Sequence, residues 1–211
     1  HAHGGGVIYF LKPRVKEAFA ENVELSREEG SKQIHNEMRE VVRKIGQVDD
    51  KGNPINIKNK VIKGSTSLGK TNSFFDIAAE AKAEAKNLLI HLYVPDKKIQ
   101  DDILDKYRES HKSLNIVKQV GRDATNCFRH DEIKESGIKS VMTQFCDDGN
   151  GKVCPFFAPD DNGYNGCAYM QQFEGIAKAD VVVLAHANLS NYQNKKERKP
   201  DLVVIDEKFY P

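Results

Sequence analysis

The chain has 211 residues, enough for one sizeable hydrophobic core or for a core with a small insertion. Its 32 basic and 31 acidic residues give a formal net charge of +1, so bulk charge is no argument for a nucleic-acid or membrane partner. No apolar run approaches the roughly 20 residues needed to span a bilayer. Residues 1–6, HAHGGG, are not a secretory signal, and because the chain does not begin with Met we interpret it as a fragment of a larger protein.

The first half of the chain alternates strand and helix patterns. In chain order we predict a strand at 7–11, a helix at 13–47 with Gly30 as a break, a turn at 48–56, a strand at 55–63, a helix at 72–86, a strand at 87–95 and a helix at 96–111. The turn is indicated by its Asp, Gly, Asn and Pro residues, and the strand after it by alternating apolar and polar positions.

The second half continues the alternation around an irregular region. We predict a strand at 114–121, an irregular stretch at 122–164, a helix at 167–179, and strands at 180–189 and 201–207. The last two strands are almost continuously apolar, as in a sheet covered on both faces. Strand–helix–strand alternation of this kind predicts an α/β fold with a mostly parallel sheet.

Residues 64–71, GSTSLGKT, match the phosphate-binding pattern G-x-x-x-x-G-K-[ST] at each specified position. We expect Lys70 to reach the β- and γ-phosphates of ATP and the Thr71 hydroxyl to ligate Mg²⁺. The loop follows a predicted strand and precedes a predicted helix, so we prefer this interpretation to a flexible loop with a chance lysine. The predicted nucleotide-binding residues of this loop are Gly64, Ser65, Thr66, Ser67, Leu68, Gly69, Lys70 and Thr71.

A hydrophobic strand that ends in two carboxylates, LVVIDE at 202–207, supplies the second half of an ATP site. We expect Asp206 to hold Mg²⁺, usually through water, and Glu207 to orient or deprotonate the attacking water. Lys70 and Glu207 are therefore the predicted catalytic residues, acting mainly by positioning and charge stabilisation. The alternative is a strand that simply ends in an acidic turn.

Four cysteines, Cys127, Cys146, Cys154 and Cys167, lie in one stretch of the C-terminal half. Without a secretory signal and beside a nucleotide motif, a metal or cluster site is preferable to two disulfides. No C-x-x-C pair is present, so the zinc-ribbon signature is missing. Zinc on these thiols, alone or with His130, and four ordinary cysteines stay open as alternatives.

The P-loop and the strand ending in Asp-Glu together resemble the first RecA-like motor domain of superfamily 1 and 2 helicases. KADVVVLAHANL followed by DLVVIDE resembles the strand before the DEAH box in XPD/DinG-like helicases, and GRDATNCF, CPFF and CAYMQQ are similar to the surroundings of that family's cysteines. NLLIHLYVPDKKIQDDI is similar to a family segment that contacts the nucleic-acid backbone. The resemblance covers about residues 55–211. HAHGGGVIYFL is similar to the junction before the helicase part of phage or plasmid primase–helicase proteins.

This resemblance implies a P-loop NTPase (RecA-like) fold and an ATP- and Mg²⁺-dependent DNA helicase motor. It implies a [4Fe–4S] cluster on the four cysteines, with Zn²⁺ as the alternative, and single-stranded or forked DNA as the partner in replication or repair. It further implies no membrane partner and a cytoplasmic location in a bacterium or a phage-infected host cell. The predicted domains are a junction segment at 1–54, an ATPase domain at 55–121 with 168–211, and a cysteine-rich insertion at 122–167.

The sequence departs from the helicase pattern at three points. Ser67 stands where many helicases have Gly, and Lys208-Phe209 replace the Ala-His of DEAH. The second, C-terminal motor domain is missing from this chain, so we expect it not to unwind DNA by itself. The alternative functions are another DNA-processing P-loop ATPase, terminase-like, with a zinc-stapled insertion, and a metal-stapled nucleic-acid-binding module with a vestigial P-loop.

Overall fold

The computed structural model of the chain describes residues 6–11, 26–55, 57, 60–63, 68–137, 141–146, 154–156, 166–189 and 199–206. The chain divides into two compact units. We call residues 1–118 with 179–211 the sheet unit and residues 119–178 the cysteine unit. The domain bounds predicted from the sequence stay a prediction.

One parallel sheet organises the sheet unit. Within the described residues its strands are β1 (Gly6–Leu11), β2 (Lys60–Lys63), β3 (Ile90–Val94), β4 (Ile116–Lys118), β5 (Val181–Ala185) and β6 (Leu202–Ile205). Their order across the sheet is β2-β1-β6-β3-β5-β4, and every neighbouring pair is parallel. The predicted α/β fold with a parallel sheet is therefore confirmed. The carboxyl ends of all these strands lie at the same edge of the sheet, where ligands bind in open α/β folds.

The central strands are buried because they are apolar on both faces. All five residues of β3 are buried, and so are Val181 to Leu184 of β5. Continuous burial is expected when helices cover both faces of a parallel sheet. The predicted strands at 87–95, 180–189 and 201–207 are confirmed in shorter form. Of the strand predicted at 55–63, the structure shows β2 at 60–63; residues 55 and 57 are described but not in a strand, and residues 56, 58 and 59 lie outside the described residues.

Aspartates hold the amino ends of these buried strands together. Asp201, just before β6, accepts a hydrogen bond from the Leu89 N–H at 2.8 Å. Asp180, just before β5, accepts one from the Asn115 N–H at 2.6 Å and forms an ion pair with Lys82 at 2.5 Å. These carboxylates give hydrogen-bond partners to backbone N–H groups at the amino ends of the strands.

Among the described residues, three longer α-helices belong to the sheet unit and two shorter ones to the cysteine unit. They are α1 (Arg27–Lys44), α2 (Lys70–Ala83) and α3 (Lys97–Ser110), then α4 (His130–Ser136) and α5 (Ala168–Ala177). Helices were predicted at the positions of α2, α3 and α5, and the structure confirms them. None of the described helices is both long enough and apolar enough to cross a membrane.

Helix α1 begins at Arg27 and runs through Gly30, so the predicted break at Gly30 is wrong. Its start is fixed by Ser26, whose hydroxyl accepts from the Glu29 N–H at 3.2 Å while the Glu29 carboxylate accepts from the Ser26 N–H at 2.9 Å. This capping box gives partners to two N–H groups that have none within the helix. The earlier part of the predicted helix, 13–25, lies outside the described residues.

The apolar face of α1 packs on α2 and forms one side of the core. Ile34, Met38, Val41 and Val42 recur at helical spacing and are all buried. A bidentate ion pair from Arg39 to Glu80, at 2.9 and 2.7 Å, joins the two helices at their rim.

The region at 122–164, predicted as irregular, contains regular structure in the cysteine unit. Its described elements are α4 and a short π-helix at Met142–Cys146. Helix α4 has no buried residue, so it lacks the apolar periodicity by which helices are predicted. The helix ends at Gly137, which has φ 64° and is a common type of C-terminal cap. This signal was missed because the stretch is rich in polar and glycine residues.

Candidate functional site

The described part of the predicted P-loop is its carboxyl end, Leu68 to Thr71. Gly64, Ser65, Thr66 and Ser67 lie outside the described residues, and so does Glu207. Thr71 lies at the start of α2 and Asp206 directly after β6, so these two predicted site residues meet at the carboxyl edge of the sheet.

Leu68 anchors the end of this loop against α1. Its side chain packs on the hydrophobic core, and it lies directly over Gly30. A Cβ at Gly30 would stand 3.3 Å from Leu68 Cδ2 and 3.6 Å from Cδ1. Gly30 is therefore a place where α1 lets the loop approach closely, and this explains a glycine inside a helix.

Helix α2 begins directly after Gly69. This residue is the N-cap and takes the left-handed conformation, with φ 69° and ψ 28°, which favours glycine. Having no side chain, Gly69 cannot cap the helix itself, and the partial positive charge of a helix start favours an anion. Lys70, the next residue, is buried with 8% of its surface exposed. A lysine is seldom so buried unless its ammonium group has partners.

The Thr71 hydroxyl donates a hydrogen bond to Asp206 Oδ2 at 3.0 Å. These residues are 135 positions apart in the sequence. A hydroxyl and a carboxylate are the ligand types that Mg²⁺ takes in P-loop enzymes. The two side chains are therefore of the donor types that suit a divalent cation such as Mg²⁺.

The backbone of Asp206 is held from two sides. Its N–H donates to the Tyr93 carbonyl of β3 at 2.8 Å, and its carbonyl lies 3.0 Å from His186 Nε2. His186 follows β5 and begins a short 3₁₀-helix. Sequence patterns place His186 only at the end of an apolar strand, and they do not indicate this contact.

A second side-chain network braces the start of α2. Asn72, directly after Thr71, accepts hydrogen bonds from the Tyr107 hydroxyl and from Lys106 Nζ, the latter at 3.2 Å. Tyr107 is buried and stacks on Phe75 with ring centroids 4.1 Å apart. Burial raises the pKa of the Tyr107 hydroxyl, and the carboxylate of Asp206 acts in the same direction. Helical spacing placed Tyr107 on the buried side of α3, but nothing in the sequence paired it with Asn72.

All four cysteines line one pocket of the cysteine unit. We define the cysteine pocket by Cys127, Cys146, Cys154 and Cys167. Cys146 and Cys167 are buried, the other two are half-buried, and none of the four forms a disulfide. Cys154 N–H donates to the Cys146 carbonyl at 2.8 Å, which ties the two segments together.

Two arginines also line this pocket, and each lies over an aromatic ring. Arg122 donates to Cys146 Sγ at 3.5 Å and stands 4.2 Å from the ring centroid of Tyr169. Arg129 stands 4.7 Å from the ring centroid of Phe145, pairs with Glu132 and also contacts Cys154. Burial raises the pKa of the Cys146 thiol, and the guanidinium of Arg122 opposes that effect.

The cysteine pocket carries the type and number of side chains that a thiolate-bound metal group takes, but not yet their arrangement. Four thiols line the pocket, and two guanidinium groups beside them would offset the negative charge of thiolates. As placed, no three or more His, Cys, Asp or Glu side chains among the described residues form a group arranged to hold a metal ion. His130 begins α4 and does not line the cysteine pocket.

Comparisons with known proteins add no family assignment. No protein-family model, no curated protein and no solved structure matches the chain. The contacts around Asp206 and the cysteine pocket are therefore the basis for proposing a function.

Proposed function

We propose that the chain is the ATP-binding and ATP-hydrolysing motor domain of a DNA helicase. The observation that supports this best is the hydrogen bond from Thr71 to Asp206, because it joins the end of a P-loop sequence to the end of a strand-Asp-Glu sequence. It lies at the carboxyl edge of a parallel sheet, where nucleotides bind in this class of fold. The resemblance of the two motifs to superfamily 2 helicases supplies the nucleic-acid part of the proposal.

In this proposal the loop at 64–71 cradles the phosphates of ATP. Lys70 pairs with the β- and γ-phosphates, and the start of α2 behind Gly69 adds a favourable potential for them. Thr71 and Asp206 would hold Mg²⁺, which when bound neutralises charge on those phosphates. Glu207 orients the attacking water and accepts its proton.

The cysteine pocket is proposed to hold a [4Fe–4S] cluster, with Zn²⁺ as the alternative. Its four thiols supply the ligand number that either group takes. Arg122 and Arg129 lie beside Cys146 and Cys154 and offset part of the negative charge of the thiolates. Single-stranded or forked DNA is the proposed partner, in a replication or repair process within the cytoplasm.

The experiment that tests the proposal is ATP hydrolysis by the chain with and without single-stranded DNA. We expect hydrolysis that requires Mg²⁺ and rises when DNA is added. Lys70→Ala should lower the rate to background, since the variant loses the cation that pairs with the phosphates. Lys44→Ala is the matched control, because Lys44 is exposed near the end of α1, where its ammonium pairs with Glu40 at 2.6 Å.

Three outcomes separate the candidate functions. Hydrolysis that DNA stimulates and Lys70→Ala abolishes supports the motor. Hydrolysis that is lost in Lys70→Ala but indifferent to DNA of any form would replace the helicase with another P-loop ATPase. Equal rates in Lys70→Ala and in the unaltered chain would overturn the nucleotide site itself.

A further inference from the structure

The carbonyl of Asp206 has a partner that the sheet does not provide. Strand β6 ends at Ile205, and the Asp206 N–H still pairs with β3 through Tyr93. The Asp206 carbonyl instead lies 3.0 Å from His186 Nε2. His186 follows β5, which is separated from β6 by β3 in the sheet order, so this contact crosses the carboxyl edge over one whole strand.

The chemistry of the contact assigns its direction. A carbonyl oxygen only accepts hydrogen bonds, so Nε2 of His186 carries the hydrogen and donates it. The Asp206 carbonyl belongs to the planar peptide group that leads to Glu207. A donor on that oxygen fixes the carbonyl of the residue whose side chain is the proposed Mg²⁺ ligand.

We propose that His186 is a positioning residue that holds the Asp206 carbonyl and thereby orients Asp206 for Mg²⁺ binding. The inference rests on the proposed function and adds a residue to it. The Asp206 side chain is held by Thr71 and its N–H by Tyr93, so His186 supplies the third fixed point around this residue. Partners that orient metal ligands commonly change metal affinity or activity by roughly 10- to 100-fold when they are removed.

Two substitutions of His186 distinguish the effect of its hydrogen bond from the effect of its side-chain volume. His186→Phe keeps a ring of similar size but removes the donor. His186→Gln keeps an N–H donor at about the reach of Nε2. His35→Phe is the matched control, because His35 lies on α1 beside Arg39 and Glu80 rather than at the carboxyl edge.

The measurements are the Mg²⁺ concentration that gives half-maximal binding of a fluorescent ATP analogue, mant-ATP, and the hydrolysis rate at saturating ATP. We expect His186→Phe to raise the Mg²⁺ midpoint and lower the rate, each roughly tenfold, with the thermal unfolding midpoint little changed. His186→Gln should restore most of both quantities, and His35→Phe should resemble the unaltered chain. A purely structural histidine would shift the unfolding midpoint and leave the Mg²⁺ midpoint unchanged.

Failure of this inference is distinguishable from failure of the proposed function. If the unaltered chain and Lys70→Ala bind mant-ATP equally weakly, the nucleotide site is wrong. If Lys70→Ala loses binding but His186→Phe keeps the Mg²⁺ midpoint and rate of the unaltered chain, the role of His186 alone is overturned. That role is also overturned if His186→Gln is as impaired as His186→Phe, because the donor would then not restore function.

Discussion

His91 is a titratable side chain in the centre of the sheet. It lies on β3 with 2% of its surface exposed, and its ring centroid is 6.2 Å from that of Tyr93. Burial disfavours the charged imidazolium and lowers the pKa of His91 from 6.5 to about 4. The residue is therefore neutral at pH ~7 and contributes to the core as an uncharged ring.

Acid should destabilise the sheet unit through this residue. Below pH 6.5 the unfolded chain binds a proton at His91 while the folded chain does not, so stability falls as the pH drops toward 4. Because one pKa unit corresponds to about 1.36 kcal/mol, His91 removes about 2 to 3 kcal/mol between pH ~7 and pH ~4.5. Urea unfolding of the unaltered chain and of His91→Leu at both pH values measures how the free energy of unfolding of each changes with pH.

The variant should lose less stability than the unaltered chain on acidification. Other titrating groups are common to both chains, so the comparison isolates His91. Identical pH dependence in both chains would show that His91 charges without cost and contradict its depressed pKa.

At the scale of elements, the sequence predicted helices and strands correctly where their residue pattern is local. The apolar run at 87–95 predicts β3, and the pattern of helical spacing at 72–86 predicts α2, because periodicity and burial are linked directly. The prediction of a helix break at Gly30 failed because glycine is a poor helix former. The position instead needs a small residue beside Leu68, which is distant in the sequence. Helix α4 buries no residue and so leaves no periodic pattern, and the π-helix at Cys146 is too short to show one.

Gly30 of α1 and Leu68 of the predicted P-loop should be energetically coupled. An alanine inside a helix is normally more stable than glycine by about 1 kcal/mol, but at Gly30 the added Cβ meets Leu68 at 3.3 Å. We expect Gly30→Ala to gain less than that amount in the unaltered chain. In a Leu68→Ala background the obstacle is removed, and Gly30→Ala should gain the full amount.

A double-mutant cycle measures this coupling. The free energies of unfolding of the unaltered chain, Gly30→Ala, Leu68→Ala and the double variant should differ from additivity by about 0.5 kcal/mol or more. Additive effects would mean that Leu68 shifts aside without cost. A glycine elsewhere, Gly175 in α5, has nothing within 4 Å of its added Cβ and provides the uncoupled reference.

At the scale of the whole molecule, topology decides which residues meet. The order β2-β1-β6-β3-β5-β4 brings Thr71, Asp206 and His186 to one edge, although they come from three parts of the chain. The contact of Thr71 with Asp206 could be predicted, because the two motifs expected from the sequence would share one cation. The contact of His186 with Asp206 could not be predicted, because it depends on which strand lies between β5 and β6 in the sheet.

The cysteine pocket gives the last prediction, which concerns metal content. Cys127, Cys146, Cys154 and Cys167 come from separate segments of the cysteine unit and converge on one pocket. A thiolate-bound metal group would stabilise such a unit because binding free energy adds to folding free energy. We expect anaerobically purified chain to show a broad absorption band near ~400 nm and about four irons per chain.

Removal of the metal should then loosen residues 119–178 selectively. After chelation we expect tryptic cleavage within the cysteine unit to become faster, while cleavage within the sheet unit serves as the internal reference. Cys154→Ser should carry less iron and be cleaved like the chelated chain, because one of four ligands is lost. Colourless protein with about one zinc per chain would favour the terminase-like alternative. Colourless protein without metal, cleaved equally with and without chelator, would overturn the metal site and leave the proposal at Asp206 to stand on its own contacts.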